Sequence, residues 1–354
     1  MKSETMRAAV LYGDEDIRYE EAPLPELKPG EVKVRVRAAG ICGSDIPRVF
    51  QSGAFYYPII LGHEFSGEIV ETCGDVKGLR AGDCVVGAPL VPCMTCGDCQ
   101  RGNYASCKQY SFIGSKRPGA FCDYVVMPAI HAVPFDRERI SFQQAAMFEP
   151  ATVGLHGLFC GDYQGGGEVA ILGGGTIGLF TMQWAKIFGA KHITVFDLDD
   201  GRLEFLREYG ADYTVNTRRE SFLEEAMAVT GGAGFEYVFE TAGQSATMNI
   251  AFQIAAVKAK LCFIGNPHRD VVFPPATWEL MNRKEFRLTA SWMSYSPPYP
   301  GREWALTAHY LREGKLKITD SLIYKTYPMS RAKEAFMNFQ AGPVPGKILL
   351  LNED

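Results

Sequence analysis

Short alternations of hydrophobic and polar residues dominate the first 155 residues of the chain. The clearest, EVKVRVRAAG at 31–40, alternates Val with charged residues, as a strand with one buried face does. Turn residues flank it, and further strand candidates follow at MRAAVLYG, DIRYEEAP, GEIVETC, CVVGAP and DYVVMPA. This spacing predicts a β-rich domain over residues 1–155, built as a partly open barrel.

The pattern changes near residue 150, where strand and helix patterns begin to alternate. Pro150, in FEPATVGLHGLFC, is predicted as the first residue of a helix, where its missing N–H costs little. Apolar strand candidates separated by helical stretches follow at EVAIL, HITVFD, DYTV, EYVFET, KLCFIG and EFRLTA. They predict a doubly wound parallel sheet over residues 156–290. Residues 291–354, with a helix around 302–313 and two short strands, are predicted to return to the first domain.

The composition is that of a globular protein with a large core. Of the 354 residues, 47% are hydrophobic and 22% are charged, which excludes a disordered chain. The net charge of −5, without any basic block, argues against nucleic acid as a partner. The start of the chain has no apolar run, and no apolar stretch reaches the ~18 residues of a membrane span. We therefore expect a cytoplasmic protein that does not bind membranes.

A glycine-rich turn between a predicted strand and helix indicates a dinucleotide site. In EVAILGGGTIGLF, the turn contains Gly173, Gly175, Thr176, Ile177 and Gly178 in a G-x-G-x-x-G pattern. The first glycine permits the tight turn, the second lets the backbone approach a pyrophosphate, and the third allows close packing of helix on strand. The helix N-terminus then offers free N–H groups to the phosphates.

Asp197 ends the next predicted strand, nineteen residues after Gly178. A carboxylate at that position can hold the adenosine ribose hydroxyls and repels a 2′-phosphate, so NAD is favoured over NADP. Arg202 either weakens this repulsion of the 2′-phosphate or lies beside the ribose or the adenine.

Four of the ten cysteines fall within fifteen residues, at Cys93, Cys96, Cys99 and Cys107. Four thiolates at this spacing can converge on one tetrahedral zinc ion in a closed, structural site. An iron–sulfur cluster is the competing interpretation because it uses the same four ligands.

Other candidate ligands are dispersed through the first domain. GICGSD contains Cys42, Ser44 and Asp45, LGHEFSG contains His63 and Glu64, and FEP contains Glu149. Each residue alone also has a structural explanation, as a small core residue, a turn residue or a charge at a helix start. Only their combination with a dinucleotide fold and a four-cysteine lobe points to a second metal site.

The chain resembles the zinc-dependent medium-chain dehydrogenases/reductases, in the sorbitol dehydrogenase branch. The matching segments are GICGSDIPR, YYPIILGHEFSG, PLVPCMTCGDCQRGNYASC, YSFIGSKRPGAF, FEPATVGLH, LGGGTIGL and SWMSYSPPYPGREW. The resemblance implies a GroES-like catalytic domain, a Rossmann domain, NAD, and two zinc ions per chain, one catalytic and one in the lobe at 93–107.

The resemblance also assigns roles to the dispersed residues. Cys42 and His63 are expected as catalytic zinc ligands, with Glu149 favoured as the third ligand and Glu64 as the alternative or as a group beside the metal. Ser44 is expected to relay the alcohol proton. Many relatives continue this relay to a His, but here the stretch after Ser44 contains Pro47, so the proton leaves through water, a ribose hydroxyl or Glu64.

Within the family, the chain most resembles the members that act on a sugar-alcohol phosphate. It implies oxidation of galactitol 1-phosphate to tagatose 6-phosphate with hydride transfer to NAD. Cations that could hold the phosphate are Arg48, Lys116, Arg117 and Arg302. Trp292 and Tyr295 could wall the substrate pocket, although packing alone would also explain them.

Three alternatives remain open at this point. The substrate could be an unphosphorylated polyol such as sorbitol or L-iditol, or another polyol phosphate. The protein could instead be a non-catalytic module that binds a partner through its four-cysteine lobe. A metal-free reductase of the same fold would have no use for Cys42, His63 and Glu149.

A homodimer or homotetramer is expected, with the predicted strands at KLCFIG and EFRLTA as the interface.

Overall fold

The computed structural model describes residues 5–76, 78–342 and 344–352. The chain divides into two compact units: residues up to Glu149 together with those from Tyr295 onward, and Pro150–Ser294. None of the helices in these ranges has the length and apolar character that crossing a membrane requires.

The strands of the described residues are numbered along the chain. They are β1 (Thr5–Leu11), β2 (Ile17–Pro23), β3 (Glu31–Gly40), β4 (Ile59–Ile60), β5 (Glu64–Thr72), β6 (Cys84–Gly87), β7 (Leu90–Val91), β8 (Ser111–Phe112), β9 (Tyr124–Pro128), β10 (Ala132–Pro134), β11 (Glu168–Leu172), β12 (His192–Asp197), β13 (Tyr213–Asn216), β14 (Phe235–Glu240), β15 (Ala255–Phe263), β16 (Arg287–Ala290), β17 (Ile323–Pro328) and β18 (Lys347–Leu351).

The α-helices are numbered in the same way. They are α1 (Asp45–Phe50), α2 (Gly97–Gln100), α3 (Phe142–Ala145), α4 (Phe148–Cys160), α5 (Thr176–Ile187), α6 (Asp200–Tyr209), α7 (Phe222–Val229), α8 (Ser245–Ile254), α9 (Pro275–Lys284), α10 (Arg302–Arg312) and α11 (Ala332–Ala341).

The first unit is built around a mainly antiparallel sheet with the order β10-β6-β5-β3-β18-β17, in which β9 also pairs with β3. β3 has the bounds that its alternation predicts, because Val32, Val34 and Val36 are buried while the charged residues between them are half-buried. β17 and β18 come from the C-terminal part of the chain, so this part returns to the first unit.

The second unit contains a parallel sheet with the order β13-β12-β11-β14-β15-β16. All five residues of β11, the first of these strands in the chain, are buried, as expected of a strand with neighbours on both edges and helices on both faces. The strand order reverses between β11 and β14, and that reversal leaves a crevice at the carboxyl ends of these strands. The doubly wound sheet predicted from the sequence is confirmed.

The start of α4 differs from the prediction. The helix begins at Phe148, so Pro150 is its third residue rather than its first. The first turn of a helix has no internal acceptors for its N–H groups, so proline is tolerated throughout this turn. As a result, Glu149 lies in the first turn, where a negative charge is favourable.

Candidate active site and metal centres

The four clustered cysteines converge on one point in the first unit. The Sγ atoms of Cys93, Cys96, Cys99 and Cys107 all lie within 4.8 Å of one another. The Sγ atoms of Cys93 and Cys99 are 3.9 Å apart, close to the edge of about 3.8 Å of a tetrahedron with zinc–sulfur bonds of about 2.3 Å. The four thiols are free rather than joined in disulfides. The donor set therefore fits a zinc ion.

Backbone and side-chain donors turn toward these sulfurs. The N–H of Cys96 donates to Cys93 Sγ at 3.3 Å, and the N–H of Cys93 donates to Cys107 Sγ at 3.4 Å. Hydrogen bonds from the Thr95 hydroxyl and from nearby backbone N–H groups lower the pKa of Cys93 to about 6. Such donors stabilise a thiolate, which is the form that binds metal.

Two tyrosines of the aromatic run (residues 295–304) bind the strand that leads into this lobe. Leu90, at the start of β7, donates its N–H to the Tyr295 hydroxyl at 2.9 Å, and its carbonyl accepts from the Tyr299 hydroxyl. His131 Nδ1 lies 2.9 Å from both the Tyr299 hydroxyl and the Ala88 carbonyl. Two hydroxyl groups thus satisfy the N–H and the carbonyl of the buried Leu90 backbone.

A second ligand group forms where β3 and β5 pair. The register of these strands places Gly40, the last residue of β3, opposite Glu64, the first residue of β5. Cys42 follows β3 and His63 precedes β5, so both are brought to the same edge. The ligand atoms of Cys42, His63 and Glu64 lie within 4.8 Å of one another. One thiol, one imidazole and one carboxylate are a donor set that suits zinc.

Glu149 lies outside this group of ligand atoms but close enough to interact with it electrostatically. Burial raises the pKa of its carboxyl to about 7, and the Glu64 carboxylate raises it further, while the charges of His63 and Lys347 oppose the shift. Among the described residues, the structure thus places Glu64 rather than Glu149 beside Cys42 and His63. The preference for Glu149 as the third ligand stays a prediction.

Two further charged residues lie against the ligands: Asp45, which the sequence analysis grouped with the dispersed candidates, and Lys347, which it did not single out. The Asp45 carboxylate is fully buried, with Oδ1 3.6 Å from His63 Nδ1 and Oδ2 accepting from the Cys42 N–H at 3.1 Å. Burial acts against the charge on His63, but Asp45 and Cys42 outweigh it and raise its pKa well above the usual value. Asp45 therefore orients one ligand side chain and the backbone of another.

The second charged residue is Lys347, the first residue of β18, whose ammonium forms an ion pair with Glu64 Oε2. Their side chains are only 7% and 2% exposed. A Cβ on Gly40 would lie 2.5 Å from Glu64 Oε2 and 2.8 Å from Lys347 Cε, so only glycine leaves room for the pair. The only sign of this residue in the sequence was a single charge at the start of an otherwise apolar strand, KILLL.

Ser44 and Arg48 lie on the loop and short helix that follow Cys42. The Arg48 Nη1 donates to the Ser44 carbonyl at 2.6 Å and to Ser44 Oγ at 3.1 Å, and lies 3.3 Å from Asp45 Oδ1. This part of the guanidinium is thus directed at the loop itself.

The predicted dinucleotide turn has the backbone that the motif requires. Gly173 has a φ of +102°, which favours glycine, and a Cβ on Gly178 would collide with the Gly173 carbonyl. Asp197 ends β12, and its Oδ2 accepts from the Gly174 N–H at 2.7 Å. Arg202 Cδ lies 3.3 Å from the Cβ position of Gly174. Asp197 and Arg202 therefore both reach the glycine-rich turn, in which Gly175 caps the helix that starts with Thr176 and Ile177.

The candidate substrate residues have different surroundings. Lys116 Nζ lies 3.6 Å from the centre of the Tyr110 ring and 5.2 Å from that of Phe55. In the part of the chain that the structure describes, neither Lys116 nor Arg117 forms an ion pair with a carboxylate. The backbone N–H of Arg302 donates to Ser296 Oγ at 3.3 Å.

The two aromatic candidates also differ. Trp292 is 54% exposed, whereas Tyr295 is 5% exposed and stacks on Tyr299 with ring centres 5.5 Å apart. Packing, the second of the two explanations offered by the sequence, accounts for the position of Tyr295. Its role as a substrate wall stays a prediction.

Both units match known protein families. Residues 28–137 match the alcohol dehydrogenase GroES-like domain, and residues 176–308 match the zinc-binding dehydrogenase family. The galactitol 1-phosphate 5-dehydrogenase of Escherichia coli (strain K12) is 37% identical over 349 residues, 98% of this chain and 100% of that protein. The sorbitol dehydrogenase of Bacillus subtilis (strain 168) is 34% identical over 276 residues, 76% of this chain and 77% of that protein.

Solved structures agree over almost the whole chain. The crystal structure of galactitol-1-phosphate dehydrogenase from Escherichia coli has a TM-score of 0.93 at 37% identity, covering 98% of this chain and all of that one. A zinc-binding dehydrogenase from Sinorhizobium meliloti 1021, bound to NADP, has a TM-score of 0.87 at 28% identity, covering 98% and 99%. The predicted GroES-like and Rossmann fold class is confirmed. The chain belongs to the zinc-dependent medium-chain dehydrogenase/reductase family and is an oxidoreductase.

Proposed function

We propose that the protein oxidises galactitol 1-phosphate to tagatose 6-phosphate and transfers the hydride to NAD. The observation that carries the proposal is the group of Cys42, His63 and Glu64, in which the imidazole and the carboxylate are buried and whose donor atoms fit a zinc ion. The dehydrogenase of galactitol 1-phosphate that is 37% identical over nearly the whole chain supports the choice of substrate.

The residues of the site divide the chemical work. Cys42, His63 and Glu64 would hold zinc, which, when bound, supplies a Lewis acid that favours loss of the alcohol proton near neutral pH. Ser44, two residues after Cys42, would accept that proton. Asp45 and Lys347 hold His63 and Glu64 in place and balance their charges. Glu149, with a pKa near 7, can exchange protons at the edge of the site.

The surroundings of Lys116 and Arg117 favour a phosphorylated substrate. Both cations are half-buried and lack a carboxylate partner within the described ranges, and Lys116 is held over two aromatic rings. A phosphate group would supply the missing counter-charge. Arg48 has fewer donors to offer because its Nη1 already binds Ser44.

The surroundings of Asp197 favour NAD as the hydride acceptor. Its carboxylate is held at the glycine-rich turn by N–H groups of Gly174 and Leu198, at 2.7 Å each. A fixed negative charge there repels a 2′-phosphate. The NADP-bound relative shows that this fold also accepts the phosphorylated cofactor, so the choice depends on such local residues.

A panel assay tests the substrate and the cofactor together. We expect NADH formation from galactitol 1-phosphate with a kcat/KM at least tenfold above that for galactitol, sorbitol, L-iditol or sorbitol 6-phosphate, and above that with NADP. A higher kcat/KM for an unphosphorylated polyol would contradict the phosphate assignment and favour the second candidate function, a sorbitol-type dehydrogenase.

Matched variants test the phosphate contacts. K116M and R117M are expected to raise the KM for galactitol 1-phosphate about tenfold or more and to leave that for galactitol unchanged, since a charged hydrogen bond contributes roughly 1.5–3 kcal/mol. K258M, in the exposed pair of Lys258 with Glu285, is the control. Equal losses on both substrates would remove the two cations from the phosphate site.

Metal analysis separates the enzyme from a lobe that only binds a partner. We propose two zinc ions per chain, one at the four cysteines and one at Cys42. C42S should retain one zinc and lose activity. A single zinc in the unaltered protein would favour the non-catalytic module.

We also propose a homodimer or homotetramer. β16 is the last strand of the parallel sheet, and all four of its residues are exposed, including Leu288. An open edge of this kind pairs readily with a second copy. Light scattering should give at least twice the chain mass, and L288K should lower it.

A further inference from the structure

The proton relay expected at Ser44 lacks the histidine found in many relatives, because Pro47 stands in that stretch. The next residue, Arg48, is half-buried, with 17% of its side chain exposed. Its Nη1 contacts three oxygen atoms, the Ser44 carbonyl at 2.6 Å, Ser44 Oγ at 3.1 Å and Asp45 Oδ1 at 3.3 Å. We infer that Arg48 is a positioning residue that orients the Ser44 hydroxyl, and this inference rests on the proposed function.

The direction of the hydrogen bond sets the orientation of the hydroxyl. A guanidinium only donates, so Ser44 Oγ must be the acceptor in its contact with Arg48. A serine hydroxyl has two lone pairs and one O–H. With one lone pair taken by Arg48, the other remains to accept from the alcohol, and the O–H points in a third direction. The contact thus excludes the rotamers in which Ser44 would turn its O–H toward Arg48.

Asp45 holds the guanidinium in this position. Its carboxylate is fully buried and also accepts the Cys42 N–H at 3.1 Å, so the acid is fixed to the loop that carries a ligand. Arg48, Ser44 and Asp45 are thus one connected unit within a single turn of chain.

This geometry gives Arg48 a different task from that of Lys116. A residue that binds the phosphate acts on substrate affinity, whereas one that orients Ser44 acts on the rate after binding. The loss for Arg48 variants should therefore be the same with and without a phosphate on the substrate.

A double-mutant cycle tests this assignment. R48M, S44A and the double variant S44A/R48M are measured with galactitol 1-phosphate and with galactitol. We expect R48M to lower kcat roughly 10- to 100-fold on both substrates, the range of one charged hydrogen bond, with KM changed less than about threefold. In the S44A background the same substitution should cost less than about threefold, because the hydroxyl that it orients is already absent.

Binding measured without turnover supplies the second readout. Calorimetric titration with galactitol 1-phosphate in the absence of NAD should give the same Kd for R48M and the unaltered protein. R48K retains the charge beside Asp45 and should recover part of kcat, which keeps the test valid if R48M folds poorly. K258M, which removes a cation from the exposed pair with Glu285, serves as the matched control and should change neither Kd nor kcat.

Two results would overturn the inference. One is a loss of kcat in S44A/R48M equal to the product of the single losses. The other is a loss confined to the phosphorylated substrate with a weaker Kd, which would place Arg48 in the phosphate site. If the unaltered enzyme prefers a different alcohol, the proposed substrate fails, and the same cycle on that alcohol still decides the role of Arg48.

Discussion

The ion pair between Lys347 and Glu64 makes a quantitative prediction about stability. The two side chains are 7% and 2% exposed, so neither charge can be hydrated if its partner is removed. Burial acts against the charge on Lys347, but Glu64, Cys42 and Glu149 outweigh it and raise the pKa of the ammonium. K347M removes the charge and keeps most of the side-chain volume.

The expected cost follows from the burial of Glu64. Breaking a buried pair by removal of one partner typically costs about 3–5 kcal/mol, because the other charge is left uncompensated. We expect K347M to lower the free energy of unfolding of the zinc-depleted protein by about that amount. The loss should be smaller in the zinc-loaded protein, since the metal would compensate Glu64 in place of the lysine.

Urea denaturation followed by circular dichroism measures this loss, with two variants for comparison. K258M removes a cation from the exposed pair with Glu285, whose side chains are 68% and 64% exposed, and should cost less than about 1 kcal/mol. K347M/E64Q leaves no buried charge in the pair and should recover much of the loss. If K347M costs no more than K258M, the buried pair does not stabilise the site and our reasoning is refuted.

Three further predictions concern other parts of the chain. Burial lowers the pKa of His131 to about 4 from an ordinary value near 6.5, so the unfolded state binds more protons than the folded state between these pH values. The free energy of unfolding should therefore fall by about 3 kcal/mol as the pH drops from 6.5 to 4. Denaturation of H131N across this range should show a flatter dependence on pH. D197S should raise kcat/KM with NADP relative to NAD by tenfold or more, and an unchanged ratio would exclude Asp197 from cofactor choice. G178A should weaken NAD binding at least tenfold in a fluorescence titration, since the added methyl group would collide with the Gly173 carbonyl; binding equal to that of the unaltered protein would contradict this packing.

Local periodicity predicted most of the fold. The bounds of β3 follow directly from its alternating valines, and the strand order of the parallel sheet agrees with the alternation of strand and helix patterns. The start of α4 was missed by two residues, because proline is compatible with every position of a first helical turn. The presence of a proline alone therefore could not show which position of the first turn it occupies.

The parts of the site that the sequence missed depend on contacts between distant stretches of chain. Cys42 and His63 were singled out from the sequence because each lies in a short recognisable motif. Lys347 meets Glu64 only because β18 pairs with β3, where Leu349 lies opposite Gly40. No local pattern near residue 347 names its partner, so this role became visible only with the strand register.

The bonds between the aromatic run and Leu90 also bear on the order in which the protein is completed during synthesis. The hydroxyl of Tyr295 reaches an amide 205 residues earlier in the chain. The four cysteines therefore leave the ribosome long before the two tyrosines are synthesised. All four ligands lie within a segment of fifteen residues, so this segment can bind its metal before the rest of the chain is complete. We expect a nascent chain that ends before residue 295 to bind zinc at this lobe and to release it faster than the full-length protein does.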